Sequence, residues 1–314
     1  MTLVTFSPVK RLIFSMSFAL GLLCFQAGSA AAGNFDPASL PKTLKWSEVK
    51  GVPFVYSDQG SGDPLVILTP YPFGVGLWSG LVERLKGEYR VVVVEPPGVR
   101  DPSSMEEDFS TEHLLQLYRQ FLRDLGMHKA HLLGLGETGG MVMAFGHHYP
   151  ENTGSVISIN GFETVGWNPA FEATIELIRQ GAGPGMKNLM MMGSSRFMKK
   201  PPSEDELGAM VPEQGDLVKQ ATEERLNDFV SDIKVGYILM MMPNHNRPTL
   251  LIRSEKDGVL TEDFTPRSRR VIRKATLRLK KFPEAGHFAF LDEPDEVAAS
   301  ITTFLTEHPL KKLN

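Results

Sequence analysis

Four consecutive valines, Val91–Val94, sit between Arg90 and Glu95. A run apolar on both faces suits a strand whose sheet is covered on both sides, as in a parallel sheet packed between helices. Other stretches repeat the pattern. Residues 53–57 (PFVYS), 65–69 (LVILT), 130–135, 155–160 (SVISIN), 249–254 (TLLIRS) and 276–282 read as strands, and turn-forming residues at 60–64 part the first two. Helical patterns fall between them at 78–85, 111–125, 139–148, 266–274 and 294–306. In the second, Leu114, Leu115, Leu117, Tyr118, Phe121, Leu122 and Leu125 recur near the helical period. Strands alternating with helices predict an α/β fold with a mostly parallel central sheet flanked by helices. Alternation stops over 165–245, which reads as mostly helical and holds nine of the 15 Met. A helical cap insertion fits that stretch. Met more often fills core, but its adaptability also suits a cap over an apolar ligand.

The amino terminus has a different grammar. Lys10 and Arg11 precede an uncharged, mostly apolar run from Leu12 to Phe25, and small residues follow from Ala27 to Ala32. This is the layout of a secretory signal peptide over residues 1–32, and the apolar run is short for a membrane span, which takes about 20 residues. A secreted or periplasmic location is expected, the alternative being a membrane tether through an uncleaved signal. Residues 33–307 then form one domain and 308–314 a tail. The single Cys, Cys24, lies in the leader, which excludes disulfide frameworks and cysteine zinc sites. With 33 basic against 37 acidic residues, net charge is −4, and no nucleic-acid partner is expected.

In such sheets ligands bind at the carboxyl ends of the strands. Three such ends carry chemistry: 131–140 (HLLGLGETGG), 254–258 (SEKDG) and 284–294 (EAGHFAFLDEP). Here the chain resembles the α/β-hydrolase superfamily over about residues 50–307. "LIRSEKDGVL" resembles its acid loop, "PEAGHFAFLDEPDEV" its histidine loop, and "EPPGVRDPS" the loop after its fourth strand. The resemblance implies Asp257 as acid and His287 as base. A carboxylate there fixes the imidazole tautomer, and the imidazole takes a proton from a nucleophile or water.

The first of the three segments departs from the family pattern. That pattern, G-x-S-x-G, places a nucleophile on a strained strand-to-helix turn. Counted from Lys129 or back from Tyr149-Pro150, the nucleophile position falls on Gly136, which has no side chain. A second register reads 136–140 (GETGG) as G-x-T-x-G with Thr138 as nucleophile, at the cost of a β-branched residue on a positive-φ bend. A third makes Glu137 a carboxylate nucleophile. The oxyanion hole implied by the resemblance draws on the Glu137 backbone and on Tyr71 N–H, since Thr69-Pro70 replaces the family's His-Gly. The serine-free elbow and the following strand most resemble the N-myc downstream-regulated branch, regarded as lacking hydrolase activity. That branch generally lacks the histidine found here as His287.

A rival class is open at this point. Gly134, Gly136 and Gly139 form a literal G-x-G-x-x-G, with Glu163 after the next strand, as in dinucleotide-binding oxidoreductases. Against it, three or four strands precede the motif. His147-His148 and His245 read as surface or loop histidines, and Lys199-Lys200 and Arg267–Arg270 as solvated charge. The expected protein is an exported hydrolase-fold chain without cofactor or metal. It would bind a small apolar or ester-like ligand without turnover, or act as an atypical hydrolase-like enzyme with His287 activating water or polarising the ligand, with an active Thr138 ester or amide hydrolase as the alternative.

Overall fold

The computed structural model describes residues 35–105, 108–162, 176, 198–199, 201–211, 223–228, 230–231, 245–260 and 276–310. The leader at 1–32, most of the 165–245 insertion, Glu163, the 266–274 helix, Arg267–Arg270 and the end of the tail lie outside them.

Eight strands form one sheet: β1 (Lys45–Val49), β2 (Val52–Gln59), β3 (Asp63–Leu68), β4 (Tyr89–Val94), β5 (Ala130–Leu135), β6 (Thr153–Ile159), β7 (Thr249–Ser254) and β8 (Leu277–Phe282). Their order is β1-β2-β4-β3-β5-β6-β7-β8. The first two pairings are antiparallel, and the chain from β4 across to β8 is parallel. The valine run is the inner part of β4, and all four valines are buried. β1 has no counterpart in the sequence reading. It is an edge strand, mostly exposed, with Trp46 open to solvent, so it lacks the apolar signal that marks the others.

Described helices are α1 (Ser79–Leu85), α2 (Thr111–Asp124), α3 (Glu137–His148), α4 (Glu204–Met210), the single turn α5 (Ala289–Asp292) and α6 (Pro294–Thr306). None of the described helices is long and apolar enough to cross a membrane. α2 starts where the Ser110 hydroxyl accepts His113 N–H, and it buries Leu114, Leu115, Leu117, Tyr118, Phe121 and Leu122. Each such burial contributes about 1.5–3 kcal/mol for a large apolar side chain. Phe121 stacks on Phe54 of β2, and Trp78 stacks on Phe290 of α5, which ties the chain's carboxyl-terminal part to α1. α4 opens on a capping box, with Ser203 and Glu206 satisfying each other's backbone N–H.

β4 and β5 lie on opposite sides of β3, so the strand order reverses there. Loops leaving the carboxyl ends of β3 and β5 diverge at such a point and leave a crevice. The helix after β5 begins at Glu137 rather than at Gly139, which brings the turn onto Gly136.

Candidate active site

Gly136 links β5 to α3 with φ +57° and ψ −117°. Only glycine adopts a positive φ without strain, and a strained strand-to-helix turn is what the hydrolase elbow requires. Neighbouring strands pin the bend: Gly136 N–H donates to Ile159 O at 3.1 Å, and Phe162 N–H donates to Gly136 O at 2.9 Å. Two flanking glycines allow the close approach. A Cβ on Gly134 would lie 2.2 Å from Thr138 O, and one on Gly139 would lie 2.7 Å from Gly161 Cα.

A Cβ on Gly136 would point at His287, 3.3 Å from Nε2, with Phe162 Cζ at 3.6 Å. His287 follows β8 and Asp257 follows β7. Nδ1–H donates to Asp257 Oδ2 at 2.9 Å. The other carboxylate oxygen accepts Val259 N–H and Leu260 N–H at 2.8 and 2.9 Å. With Nδ1 carrying the proton, Nε2 is left as an acceptor facing Gly136.

Thr138 is turned elsewhere. Its hydroxyl lies 2.9 Å from Leu68 O and 3.0 Å from Leu135 O, and it accepts Leu135 N–H at 3.0 Å. It closes the turn and joins β3 to β5. None of its hydrogen bonds reaches His287. Glu137 sends its side chain back over β3, where Oε1 accepts Tyr71 N–H at 3.2 Å. Oε2 lies 3.2 Å from Nε of Arg225, a fully buried side chain. Arg225 also donates to Phe109 O and to Thr111 Oγ1. The Tyr71 N–H expected to face a ligand is therefore taken by a carboxylate of the same chain. The Tyr71 hydroxyl donates to Pro97 O.

Three residues in this geometry escaped the sequence reading. Asn160, at φ +42°, donates from Nδ2 to His287 O at 2.8 Å and to Ser254 Oγ at 2.9 Å, and its Oδ1 accepts Ser254 N–H. It clips the histidine loop to the strand that carries the acid. Asp292 accepts Gly286 N–H at 2.7 Å and Lys199 N–H at 2.6 Å, and burial raises its carboxyl above the usual range. Arg225 is the third. A left-handed Asn at a strand end is the one local signal among them. Partners distant in sequence gave no sign of the other two.

The remaining candidates fall away from this cluster. His148 is exposed and His147 half-buried at the end of α3. Among the described residues no group of three or more His, Cys, Asp or Glu could hold a metal ion. His245 lies in the loop before β7 but is buried, and it bonds Thr249 Oγ1 at 2.9 Å. Lys199 pairs with Glu293 at 2.7 Å. Of the insertion's methionines, Met198 and Met210 are described, and both are buried. The glycine motif follows the fifth strand, not the first, and its outer glycines serve the tight packing of the turn.

An eight-stranded sheet in this order, with a glycine elbow after β5 and acid and histidine loops after β7 and β8, defines the α/β-hydrolase fold. A model of the alpha/beta hydrolase family matches residues 65–300, and the chain belongs to that family. A curated relative from Pseudomonas sp., a 2-hydroxy-6-oxononadienedioate/2-hydroxy-6-oxononatrienedioate hydrolase, is 23% identical over 269 residues, covering 79% of this chain and 90% of its own. A thermophilic esterase from Thermogutta terrifontis superposes with TM-score 0.67 at 17% identity, over 84% of this chain and 100% of that one. An esterase from Exiguobacterium antarcticum gives TM-score 0.67 at 18% identity, over 84% and 99%.

Proposed function

We propose that this protein binds a small, largely apolar molecule without forming a covalent intermediate. The His287–Asp257 pair acts directly on a polar hydrogen of the ligand, as acceptor and base. One observation carries the reading: His287 Nε2 faces the elbow position occupied by Gly136, where no side chain stands to be activated. The Thr138 hydroxyl, the nucleophile of the rival hydrolase reading, is committed to the backbone of β3 and β5. The serine-free elbow supports a place near the N-myc downstream-regulated branch, while the paired histidine sets this chain apart from it. The relative's named substrates carry a hydroxyl group as this ligand would, but they are also dicarboxylates, so the apolar and uncharged part of the reading rests on this chain's own site and not on that relative.

The test is covalent trapping. Wild-type protein should resist stoichiometric labelling by a fluorophosphonate and show no burst with p-nitrophenyl acetate. A burst that Thr138→Ala removes would overturn the reading in favour of a threonine hydrolase. We further propose that residues 1–32 direct export, on the basic, apolar and small-residue layout of that segment. Expression of the full chain followed by amino-terminal sequencing of the mature product checks it, with cleavage after residues 30–32 expected.

A further inference from the structure

A serine hydrolase meets its substrate with donors: the serine O–H toward the histidine, and backbone N–H groups toward the developing oxyanion. Here that polarity is reversed on both sides of the elbow. Gly136 supplies no hydroxyl, so His287 Nε2 is an open acceptor. On the other side the Glu137 carboxylate has drawn in the Tyr71 N–H, and Arg225 balances its charge from a fully buried position. Glu137 and His287 each keep a small exposed fraction, 7%. An oxyanion, or a ligand carboxylate, placed here would meet the Glu137 carboxylate in place of the Tyr71 N–H, and of the two expected donors it would keep the Glu137 backbone N–H. Oε2 is buried against Arg225, but a carboxylate oxygen has two acceptor sites, so Oε1 still has one to offer beyond its Tyr71 contact.

We infer that Glu137 is the specificity-determining residue of this site, selecting neutral ligands that donate a hydrogen bond, such as phenols and alcohols, and rejecting anions. The inference rests on the proposed non-covalent reading and deepens it. Arg225 is a positioning residue: it holds the carboxylate over the Tyr71 N–H and does not itself meet the ligand.

Three probes sharing one ring test this: p-cresol, 4-methylanisole and p-toluate, titrated by ligand-observed NMR against the whole protein. Wild type should favour p-cresol over both others by about tenfold or more, the scale of one hydrogen bond to a charged group. Glu137→Gln keeps the shape and removes the charge, and should narrow the cresol-to-toluate ratio by about tenfold. Should that variant fail to fold with Arg225 unbalanced, Glu137→Asp keeps the charge but retracts it from Tyr71, and should narrow the ratio by roughly threefold. His287→Ala should weaken p-cresol while still disfavouring p-toluate. Wild type binding p-toluate as tightly as p-cresol, no detectable p-cresol binding, or an unchanged ratio in both Glu137 variants would each overturn the inference. A ratio unmoved by Glu137 but p-cresol binding lost in His287→Ala would sink this inference alone. A fluorophosphonate-sensitive wild type would sink the reading beneath it.

Discussion

The two halves of the site lie at the carboxyl ends of strands of one sheet and present opposite things. On the β7–β8 half, Asp257, itself held by Val259 and Leu260 N–H, fixes the imidazole tautomer of His287, and Asn160 holds the backbone of the same histidine. On the β3–β5 half, the elbow bend is as tightly held, by Gly134, Gly139, Thr138 and the Ile159 and Phe162 backbone, but what it holds out is a bare α-carbon. Next to it stands a carboxylate. The difference teaches that the bend is stabilised by its own packing, whichever side chain stands beside its tip.

The sharpest way to break the elbow half is through its buried charge. Arg225→Met leaves Glu137 unbalanced and frees the Phe109 carbonyl. It should cost about 3–5 kcal/mol in urea unfolding, and Arg225→Met with Glu137→Gln should recover part of that loss. No recovery would mean that the two residues are not coupled.

Acid should strain both halves through a histidine beneath each. His131 on β5 and His245 ahead of β7 are buried, and burial lowers each to about 4. Their unfolded forms titrate near 6.5, so between those values the unfolded chain binds the extra proton. The stability contributed is full above about pH 6.5 and is lost as pH falls through 4, on the order of 2–3 kcal/mol for each histidine by pH 4.5. Neither nitrogen of His131 has a hydrogen-bond partner among the described residues, whereas His245 bonds Thr249. His131→Leu should therefore flatten the pH dependence with little loss at pH 7, while His245→Leu should lose stability at pH 7 as well. Matching urea titrations at pH 7 and 4.5 for the two variants separate these outcomes.

Asn160→Ala tests the clip on the other half. It removes bonds to His287 O, Ser254 Oγ and Ser254 N and should cost about 2 kcal/mol. It should also weaken p-cresol binding by letting the imidazole wander. Thr138→Val is the smallest change. It keeps the volume, forfeits the hydroxyl bonds that close the turn, and should cost roughly 1–2 kcal/mol with the probe preferences unchanged. A large change in those preferences would return Thr138 to the chemistry.

Much of this was legible along the chain. Strand and helix patterns placed seven of the eight strands, because buried parallel strands are continuous apolar runs; only exposed β1 lacked that mark. The acid and histidine loops were readable because each is a short motif with its turn residues attached. His245 lies in a loop as expected, but its burial was not legible, because a polar neighbourhood in sequence, Asn244 to Arg247, says nothing of what packs over it.

The sequence alone determined the α/β layering, the glycine-rich turn after β5 and the presence of Asp257 and His287, since each depends on residues close in the chain. Only the tertiary structure decided which elbow residue faces the imidazole. Gly136, Glu137 and Thr138 are consecutive, and a shift of one position in a turn rotates a different side chain into the site without altering the surrounding pattern. It also decided that Glu137 meets Tyr71 and Arg225. That contact joins segments far apart in sequence and is made by packing, which carries no local signature.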